Sequence, residues 1–530
     1  MIESSRKLPI GIQTFEKIQK EGYLYVDKTG LVWEAISTGK TYFLIRPHCF
    51  GKSLLLSTFA AYFEGKRELF KGLAMEGLEK EWIKYPVLHL DLNAEKYDET
   101  EGLTSILSNY LTQWEQIYGE GEDEKTLSSR FAGVIRRASG KTGRKVVVLI
   151  DEYDKPLLQA LCNENLLKEY RDTLKAFYGV LKSSDRYLRF VFLTGVTKFA
   201  QVSVFSDLNQ LQDISMWYDY ATVCGITKEE LEVTFKQELE LLGKVNDMTY
   251  EETVDKMACL YDGYHFHPSG EGVFNPFSVL NALKAKEFSD YWFQTGTPTF
   301  LVELLKDSDY DLRTLIDGVE AASTAFTEYR ADSDNPIPLI YQSGYLTIKG
   351  YDKEFKMYRL GFPNDEVKYG FMNFILPFYT PIRDGEKRFY IGKFVQELRS
   401  GDVPDFLTRL KSFFADFSYE LSEDKERYYQ VVFYLVFKLM GEFTEAEVRS
   451  ARGRADAVVK TPKYIYVFEF KLNGTAEQAL QQIDDKGYLI PYLADGREIV
   501  KVGVEFSAET RNISRWLVEG YSVNPIKLAN

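Results

Sequence analysis

Residues 145–154 read Lys-Val-Val-Val-Leu-Ile-Asp-Glu-Tyr-Asp. The apolar run from Val146 to Ile150 has the length of a strand, and its lack of polar positions predicts burial on both faces, as in a parallel sheet. Acidic residues follow this run at positions 151, 152 and 154. Open α/β sheets bind ligands at the carboxyl ends of their strands, so the sequence predicts a ligand site at this point.

The acidic cluster predicts a site for a Mg²⁺-nucleotide. Carboxylates at a buried position are costly to desolvate unless a positive group lies against them. We predict that Asp151 holds the metal through water and that Glu152 activates the attacking water. Apolar strands that end in Asp-Glu are common, so this interpretation depends on a phosphate-binding loop upstream.

Residues 41–63 supply the strand, turn and helix that a phosphate loop requires. An apolar strand at 41–45 leads into Arg46-Pro47-His48-Cys49-Phe50-Gly51-Lys52-Ser53, and a helical run follows. In this pattern the backbone amides around Gly51 cradle the phosphates, Lys52 meets the β and γ oxygens, and the Ser53 hydroxyl joins Mg²⁺. Arg46 stands where the motif has its opening glycine. A helix N-terminus with a solvated lysine is therefore the alternative.

Two further apolar strands are predicted at 85–93 and 187–195, and they complete the sheet. The first lies between the two motifs in the sequence, an insertion typical of P-loop enzymes that carry their own catalytic glutamate. Thr194, at the end of the second strand, is expected to sense the γ-phosphate, with a turn-capping threonine as the alternative. Lys198 is predicted to be solvated, with a phosphate contact as the alternative.

Composition limits the class of protein. A chain of 530 residues is too long for one core. The net charge of −14 argues against a surface generally coated by nucleic acid, so DNA binding would need a local basic patch. The four cysteines include no CxxC pair, which predicts neither a zinc cluster nor a disulfide framework. Without a signal-peptide pattern or an apolar run of membrane-spanning length, we expect a cytoplasmic protein with no membrane partner.

A second acidic constellation lies near residues 446–472. In the apolar strand predicted at 464–472, Glu469 and Lys471 are two positions apart and project from the same face. If Asp456 lies on the neighbouring strand, two carboxylates and an ammonium group converge, which is the minimum apparatus for metal-assisted phosphodiester hydrolysis. Glu426, on the preceding apolar helix, is a further candidate metal ligand. The alternative is an ordinary cross-strand salt bridge of Lys471.

The same stretch is locally basic. The stretch from Arg449 to Lys471 contains six basic residues and two acidic ones. We expect contacts to a phosphate backbone at this locally basic stretch. A helix predicted at 476–483 would cover the site. Gln482 on that helix is expected to be an exposed glutamine rather than a DNA contact.

Taken together, the motifs resemble a bacterial family that joins an AAA-ATPase-like N-terminal domain to a C-terminal nuclease-like domain of the PD-(D/E)XK (restriction-endonuclease-like) superfamily. The resemblance spans nearly the whole chain. Its order makes it specific, and it rests on the stretches Tyr25-Val26-Asp27-Lys28-Thr29, Phe50-Gly51-Lys52-Ser53, Leu149-Ile150-Asp151-Glu152-Tyr153-Asp154, Tyr261-Asp262-Gly263-Tyr264, Gly296-Thr297-Pro298, Ser343-Gly344-Tyr345-Leu346-Thr347, Gly453-Arg454-Ala455-Asp456 and Phe468-Glu469-Phe470-Lys471.

The resemblance implies roles for residues of both domains. Lys52 and Ser53 would be the phosphate and Mg²⁺ ligands, and Asp151 and Glu152 the Walker B pair. The nuclease triad would consist of Asp456, Glu469 and Lys471.

Two departures from the family pattern stand out. Members usually have two arginines before the Phe-Gly-Lys-Ser, whereas this chain has His48-Cys49, which could weaken nucleotide binding. Related nucleases often have a Gln and, one helical turn later, a Tyr. Here Lys486 stands where the Tyr would follow Gln482, and Tyr488 comes two residues beyond.

These features predict an α/β protein with four parts. They are an AAA-type P-loop ATPase core at 1–225, a helical lid at 226–300, a small mixed α/β module (a winged helix is one form) with a connector at 301–390, and a PD-(D/E)XK nuclease-like domain at 391–530. The expected cofactors are ATP and Mg²⁺. An arginine finger supplied in trans would imply a homo-oligomer, although no single arginine can be chosen for that role.

We predict an ATPase that controls Mg²⁺-dependent cleavage of nucleic acid, with DNA as the favoured substrate. The alternative is a nucleotide-regulated switch or defence-type protein whose C-terminal domain binds nucleic acid or partners without cleaving. A nucleotide-binding scaffold without turnover is a third possibility. Metal-dependent nicking of plasmid that is lost in Asp456→Ala separates the first from the others.

Overall fold

The computed structural model describes residues 6–161, 163–198, 210–292, 312–323, 335–379, 387–415, 425–448, 456–472, 474–507, 509–510 and 512–521. The chain divides into two compact units, Met1–Tyr310 with Leu315–Val367 and Asp311–Thr314 with Lys368–Asn530. None of the helices in the described ranges combines the length and the apolar character that a membrane crossing requires.

A five-stranded sheet forms the centre of the first unit. Its strands are β1 (Thr41–Ile45), β2 (Val87–Asp91), β3 (Val146–Asp151), β4 (Leu188–Gly195) and β5 (Gln212–Asp213). The spatial order is β2-β3-β4-β1-β5, and all neighbouring strands run parallel. The four predicted strands are thus present, and β3 is buried along its whole length.

The strand that separates β1 from β3 in space is β4, whereas the strand between the two motifs in the sequence, β2, lies at the edge of the sheet. In the register of the sheet, Ile45 pairs with Gly195 and Ile150 pairs with Leu193. The carboxyl ends of β1, β4 and β3 therefore lie side by side. This edge is where the predicted phosphate loop and acidic cluster begin.

Helices cover both faces of this sheet, as expected for buried parallel strands. They are α1 (Phe15–Glu21), α2 (Thr29–Thr38), α3 (Lys52–Phe63), α4 (Ala74–Leu78), α5 (Thr100–Tyr118), α6 (Leu127–Thr142), α7 (Lys155–Gln159) and α8 (Glu164–Ser183). In one core cluster, strand residues such as Leu88 and Val148 pack with helix residues such as Leu107, Val134 and Leu174.

A helical region follows the sheet, as the sequence predicts. It consists of α9 (Lys228–Thr234), α10 (Lys236–Val245), α11 (Tyr250–Tyr261) and α12 (Pro276–Ala285). The predicted capping box is formed, because the Thr227 side chain accepts the Glu230 N–H and the Glu230 side chain accepts the Thr227 N–H. The apolar faces of these helices share a core with Leu8, Leu24 and Val26 from the start of the chain.

A small mixed module completes the first unit. After α13 (Leu312–Asp317), it contains β6 (Val319–Ala322), α14 (Ile337–Gln342), β7 (Thr347–Asp352) and β8 (Met357–Gly361). The three strands form an antiparallel sheet in the order β6-β8-β7. Helix α15 (Asp365–Tyr379) follows.

Glu366, in the first turn of α15, is a buried carboxylate held by neutral donors. It accepts hydrogen bonds from the Ser278 hydroxyl at 2.8 Å and from the Trp292 N–H at 2.7 Å, and only 1% of the residue is exposed. Burial raises its pKa to about 7, against the partial opposition of these donors.

The folded chain therefore keeps a proton on Glu366 that the unfolded chain loses above pH 4.5. We expect the stability from this group to be complete below pH 4.5 and to be lost as the pH rises through about 7, by roughly 3 kcal/mol in total in the free energy of unfolding. Urea unfolding at pH 5 and pH 8, which spans most of this change, tests this against Glu366→Gln, which stays neutral. An equal pH dependence in both proteins would contradict the prediction.

The second unit contains a five-stranded mixed sheet and its helices. The helices are α16 (Lys387–Ser400), α17 (Val403–Ala415), α18 (Lys425–Met440) and α19 (Ala476–Asp485). The strands are β9 (Glu445–Val448), β10 (Ala457–Lys460), β11 (Tyr464–Leu472), β12 (Glu498–Ser507) and β13 (Asn512–Tyr521). Their order is β13-β12-β11-β10-β9, with β11 and β12 parallel and the other pairs antiparallel. Leu480 and Ile483 of α19 pack on Ile465, Val467 and Ile499 of the sheet.

The predicted fold class is confirmed: the chain is α/β, with a parallel sheet in the first unit and a mixed sheet in the second. The division of the chain into four parts at 225, 300 and 390 stays a prediction. The strand predicted at 464–472 is β11, and residues 449–455 lie outside the described part of the chain.

Candidate functional site

The phosphate loop connects β1 to α3. Gly51 directly precedes α3 with φ +90° and ψ 21°, a left-handed conformation that favours glycine. Lys52 is the first residue of the helix. The loop therefore places the lysine and the free N–H groups of the first helical turn next to the carboxyl ends of β3 and β4.

Lys52 is held among oxygen atoms, with 4% of the residue exposed. Its Nζ lies 3.2 Å from Glu152 Oε1 and donates to the carbonyl oxygens of Arg46 at 3.1 Å and Pro47 at 3.2 Å. Burial opposes the charge on both partners, but their mutual attraction outweighs it. The pKa of Lys52 is therefore raised and the pKa of Glu152 is lowered.

Asp151 also lies near the loop lysine and adds to the negative potential around it. Its Oδ1 accepts the Thr194 hydroxyl at 2.6 Å, and the nearby Ser53 side chain favours its charged form. Burial and the neighbouring charge of Glu152 raise the pKa of Asp151. The structure thus brings together all the predicted nucleotide residues: Gly51, Lys52, Ser53, Asp151, Glu152 and Thr194.

These residues fit Mg²⁺-ATP. A buried carboxylate whose ionisation is disfavoured beside a serine hydroxyl gains from a divalent cation, which prefers such oxygen ligands. The loop lysine would exchange its carbonyl contacts for phosphate oxygens.

Asp154 is a functional candidate to which the sequence assigned no role. It is fully buried and accepts the N–H groups of Val196 at 3.2 Å and Thr197 at 2.6 Å, together with the Thr197 hydroxyl at 2.6 Å. Burial, followed by the charge of Glu152, raises its pKa to about 6. Asp154 therefore ties the acidic cluster to the turn after β4, and its only signal in the sequence is the third acid in the run.

Two basic residues near the loop behave unlike solvated side chains. Arg46 is fully buried and donates to the carbonyl oxygens of Ile45, Ser215 and Tyr220, so its guanidinium group is engaged by backbone. The prediction that Lys198 is solvated is wrong, because only 6% of it is exposed and its Nζ lies 2.6 Å from Asp213 Oδ2. The partner on β5 could not be recognised from the sequence.

The second unit brings the predicted nuclease triad together. Asp456 directly precedes β10, and its Oδ2 accepts the Phe470 N–H of β11 at 2.8 Å. On β11, the Nζ of Lys471 lies 3.1 Å from Glu469 Oε1. The pKa of Glu469 is raised to about 7 by burial and then by Asp456, and burial also raises the pKa of Asp456.

This arrangement fits a divalent metal. Glu469 Oε2 is buried and has no hydrogen-bond partner in the described part of the chain, and two carboxylates lie close together at a cost that a cation would relieve. Within the described ranges, no group of three or more His, Cys, Asp or Glu residues could hold a metal, so water or substrate would complete the ligand set. Glu426 lies in α18, and its side chain is outside the described part of the chain.

The prediction of an exposed Gln482 is wrong. Its side chain is half-buried and hydrogen-bonds both Glu469 and Lys471, donating to the carboxylate and accepting from the ammonium group. Its Nε2 also lies 3.3 Å from the hydroxyl oxygen of Tyr488. Gln482 is therefore placed to orient both Glu469 and Lys471.

The turn at the end of α19 explains why Tyr488 reaches this glutamine. Gly487 adopts φ +62°, and the Tyr488 N–H donates to the Ile483 carbonyl at 3.1 Å, as in a Schellman motif. After this turn the chain folds back along α19, so the Tyr488 hydroxyl lies beside Gln482. Tyr488 thus supplies the tyrosine contact that the related nucleases have at the position of Lys486.

We expect Gln482→Leu to lower nucleic-acid cleavage and divalent-metal affinity by about 10- to 100-fold, because Glu469 and Lys471 lose the side chain that orients them. Gln481→Leu is the matched control, since Gln481 is on the same helix but exposed and bonded to Asp485. Metal titration and cleavage assays on both variants give the comparison. Equal behaviour of the two variants would contradict the positioning role.

Two family models match this chain, one in each half. A family model described as "Predicted AAA-ATPase" matches residues 9–205, and one described as "PD-(D/E)XK nuclease superfamily" matches residues 424–516. A protein of Azotobacter chroococcum mcd 1, described as "Uncharacterized protein in vnfD 5'region", is 37% identical over 526 residues, covering 97% of this chain and 99% of the relative.

Among solved structures, the ORC2 protein of Aeropyrum pernix (ADPNP-ADP complexes) aligns with 68% of this chain and 92% of its own, with 11% identity and a TM-score of 0.24. An overlap of this quality carries no argument about fold or function. The assignment rests on the two family models, whose matches contain the two sites described above, and on the nearly full-length relative. The chain belongs to the family that joins a predicted AAA-ATPase domain to a C-terminal domain of the PD-(D/E)XK nuclease superfamily.

Proposed function

We propose that this protein hydrolyses ATP and uses the nucleotide to control Mg²⁺-dependent cleavage of nucleic acid, with DNA as the substrate. The observation that carries the proposal is the assembled triad of Asp456, Glu469 and Lys471. A structural salt bridge needs one carboxylate and leaves no buried oxygen unsatisfied. Here a second carboxylate lies close by, and Glu469 Oε2 has no partner among the described residues.

In the ATPase site, Lys52 would bind the β and γ phosphate oxygens of ATP, and Ser53 and Asp151 would hold Mg²⁺. Glu152, whose pKa is lowered by Lys52, would accept the proton of the attacking water. The Thr194 hydroxyl, which donates to Asp151, would contact the γ-phosphate. Thr194 directly precedes the turn that Asp154 holds, so a change at the γ-phosphate would be transmitted to this turn.

In the nuclease site, Asp456 and Glu469 would hold the metal, which when bound would supply Lewis-acid stabilisation of the phosphate and a water of lowered pKa. Lys471 would orient the nucleophile and offset the charge that develops on the phosphate. Gln482 would hold the Lys471 ammonium group and the Glu469 carboxylate in a fixed position relative to each other.

The proposed partner is DNA, bound by the second unit. With a net charge of −14, the chain can attract a phosphate backbone only locally, and the basic surplus between Arg449 and Lys471 supplies that attraction. We also propose a homo-oligomer, in which a neighbouring copy would supply an arginine finger to the phosphates.

The coupling between the sites is tested with Glu152→Gln, which should bind ATP without hydrolysing it. We expect its DNA cleavage with ATP to differ from that of the wild type, while cleavage without nucleotide is the same in both. Plasmid nicking with Mg²⁺ and with no nucleotide, ADP or ATP is the measurement. Cleavage that is unchanged across all nucleotide states would contradict control by ATP.

A further inference from the structure

The segment at the end of α14 packs against both loops that flank the nucleotide site. Gln342 is 3% exposed, and its Oε1 accepts the backbone N–H of Lys198 at 2.8 Å. Two residues later, Gly344 lies so close to the phosphate loop that an added Cβ would be 2.6 Å from the Cβ of Pro47 and 2.9 Å from its Cγ. Both contacts are within the first unit.

Gln342 contacts the turn after β4, and this turn adjoins Thr194 and Asp154 at the γ-phosphate side of the proposed nucleotide site. This turn runs from Gly195 to Lys198 and is held on one side by Asp154 and on the other by Gln342. Thr194, which bonds Asp151, directly precedes it. A shift of the turn would therefore move the hydroxyl group that faces the γ-phosphate.

The contact of Gly344 acts on the binding end of the site. Pro47 supplies one of the carbonyl oxygens that hold Lys52, so displacement of Pro47 alters the position from which the lysine meets phosphate. Gly344 has φ +93°, and the space for its α-carbon is bounded by Pro47 and by Trp292. Only glycine fits here without pushing the loop.

A small cavity lies between the phosphate loop and this segment. Its lining includes Pro47, Lys198, Gln342 and Leu346, and its volume is about 30 Å³. That volume suits a few water molecules and is far below that of a nucleotide pocket. The segment that contains Gln342 and Gly344 therefore packs behind the nucleotide site and does not form a ligand pocket of its own.

We propose that Gln342 and Gly344 are positioning residues of the ATPase site, with Gln342 fixing the turn behind Thr194 and Gly344 fixing the phosphate loop at Pro47. The inference rests on the proposed function. The two residues are expected to affect different kinetic constants. Gln342 holds the turn behind Thr194, so its loss should weaken transition-state stabilisation and lower kcat, whereas Gly344 holds the phosphate loop, so its substitution should weaken nucleotide binding and raise KM.

The test is steady-state ATP hydrolysis by the full chain with Mg²⁺. We expect Gln342→Met to lower kcat about tenfold, the effect of losing one buried hydrogen bond, with KM within about twofold. Gln342→Glu keeps an oxygen acceptor and should retain kcat. If Gln342 only filled space, the neutral Met would be tolerated better than the charged Glu. Equal kcat in the two variants, or a higher kcat for Met, would overturn its role.

The second arm compares Gly344→Ala with Gly72→Ala. Gly72 has φ +79° with no atom within 4 Å of an added Cβ, so it controls for backbone strain. We expect Gly344→Ala to raise KM about tenfold at unchanged kcat and Gly72→Ala to match the wild type. Identical KM values in the two variants would overturn the role of Gly344.

Binding of a fluorescent ATP analogue separates this inference from the proposed function. A wild-type chain that binds the analogue without turnover would refute the proposed hydrolysis, and weaker binding by Gly344→Ala than by Gly72→Ala would still support the loop contact. A wild-type chain that does not bind the analogue would overturn both.

Discussion

Glu469→Gln is expected to abolish DNA cleavage while leaving the second unit at least as stable as in the wild type. The substitution removes a metal-binding carboxylate but keeps the shape of a side chain that is 2% exposed. Because burial raises the pKa of this group to about 7, a neutral amide avoids a desolvation cost that the carboxylate carries at pH 8. We expect cleavage to fall by more than about a hundredfold.

Cleavage rate and urea unfolding are measured on the same preparation. Glu477→Gln is the matched control, since Glu477 lies on α19 at the surface and pairs with Arg515. It should cleave as the wild type does. Residual cleavage above a tenth of the wild-type rate in Glu469→Gln would exclude Glu469 as a ligand of the reactive metal.

Lys52→Met is expected to weaken ATP binding by about a hundredfold or more, since no other ammonium group meets the buried carboxylates at this site in the described residues. In the variant, Asp151 and Glu152 would face the triphosphate without the cation that offsets their charge. Equilibrium binding of a fluorescent ATP analogue gives the dissociation constant.

Lys155→Met is the control for this prediction. Lys155 adds to the positive potential at Glu152, but its ammonium group bonds the side chain and carbonyl of Asn93. We expect its loss to change ATP affinity by no more than about threefold. Similar affinities of the two variants would show that bulk charge, rather than the loop lysine, binds the phosphates.

The sequence is sufficient for those parts of the fold that depend on local patterns. The apolar run before Asp151 can only be a buried strand, and the two-residue spacing of Glu469 and Lys471 places them on one face whatever the partner strands are. The Gly51-Lys52 pair marks the helix start because glycine tolerates the left-handed turn that precedes it.

Contacts between distant segments could not be read from these patterns. The burial of Lys198 depends on Asp213, which is placed by the parallel pairing of β5 with β1. A glutamine on a covering helix is usually exposed, which is why the sequence predicts an exposed Gln482, and Lys486 rather than Tyr488 stands at the spacing that the related nucleases have. The left-handed turn at Gly487 places Tyr488 next to Gln482. A glycine after a helix predicts such a turn, but it does not predict which of the following side chains will contact the helix.

Cleavage of end-labelled single- and double-stranded DNA with Mg²⁺ or Mn²⁺, with and without ATP, tests the central claim most directly when wild type and Lys471→Ala are compared. We predict metal-dependent cleavage by the wild type that changes with ATP and disappears in Lys471→Ala. Robust ATP turnover with no cleavage of either substrate under any of these conditions would contradict the account and favour a nucleotide-driven switch.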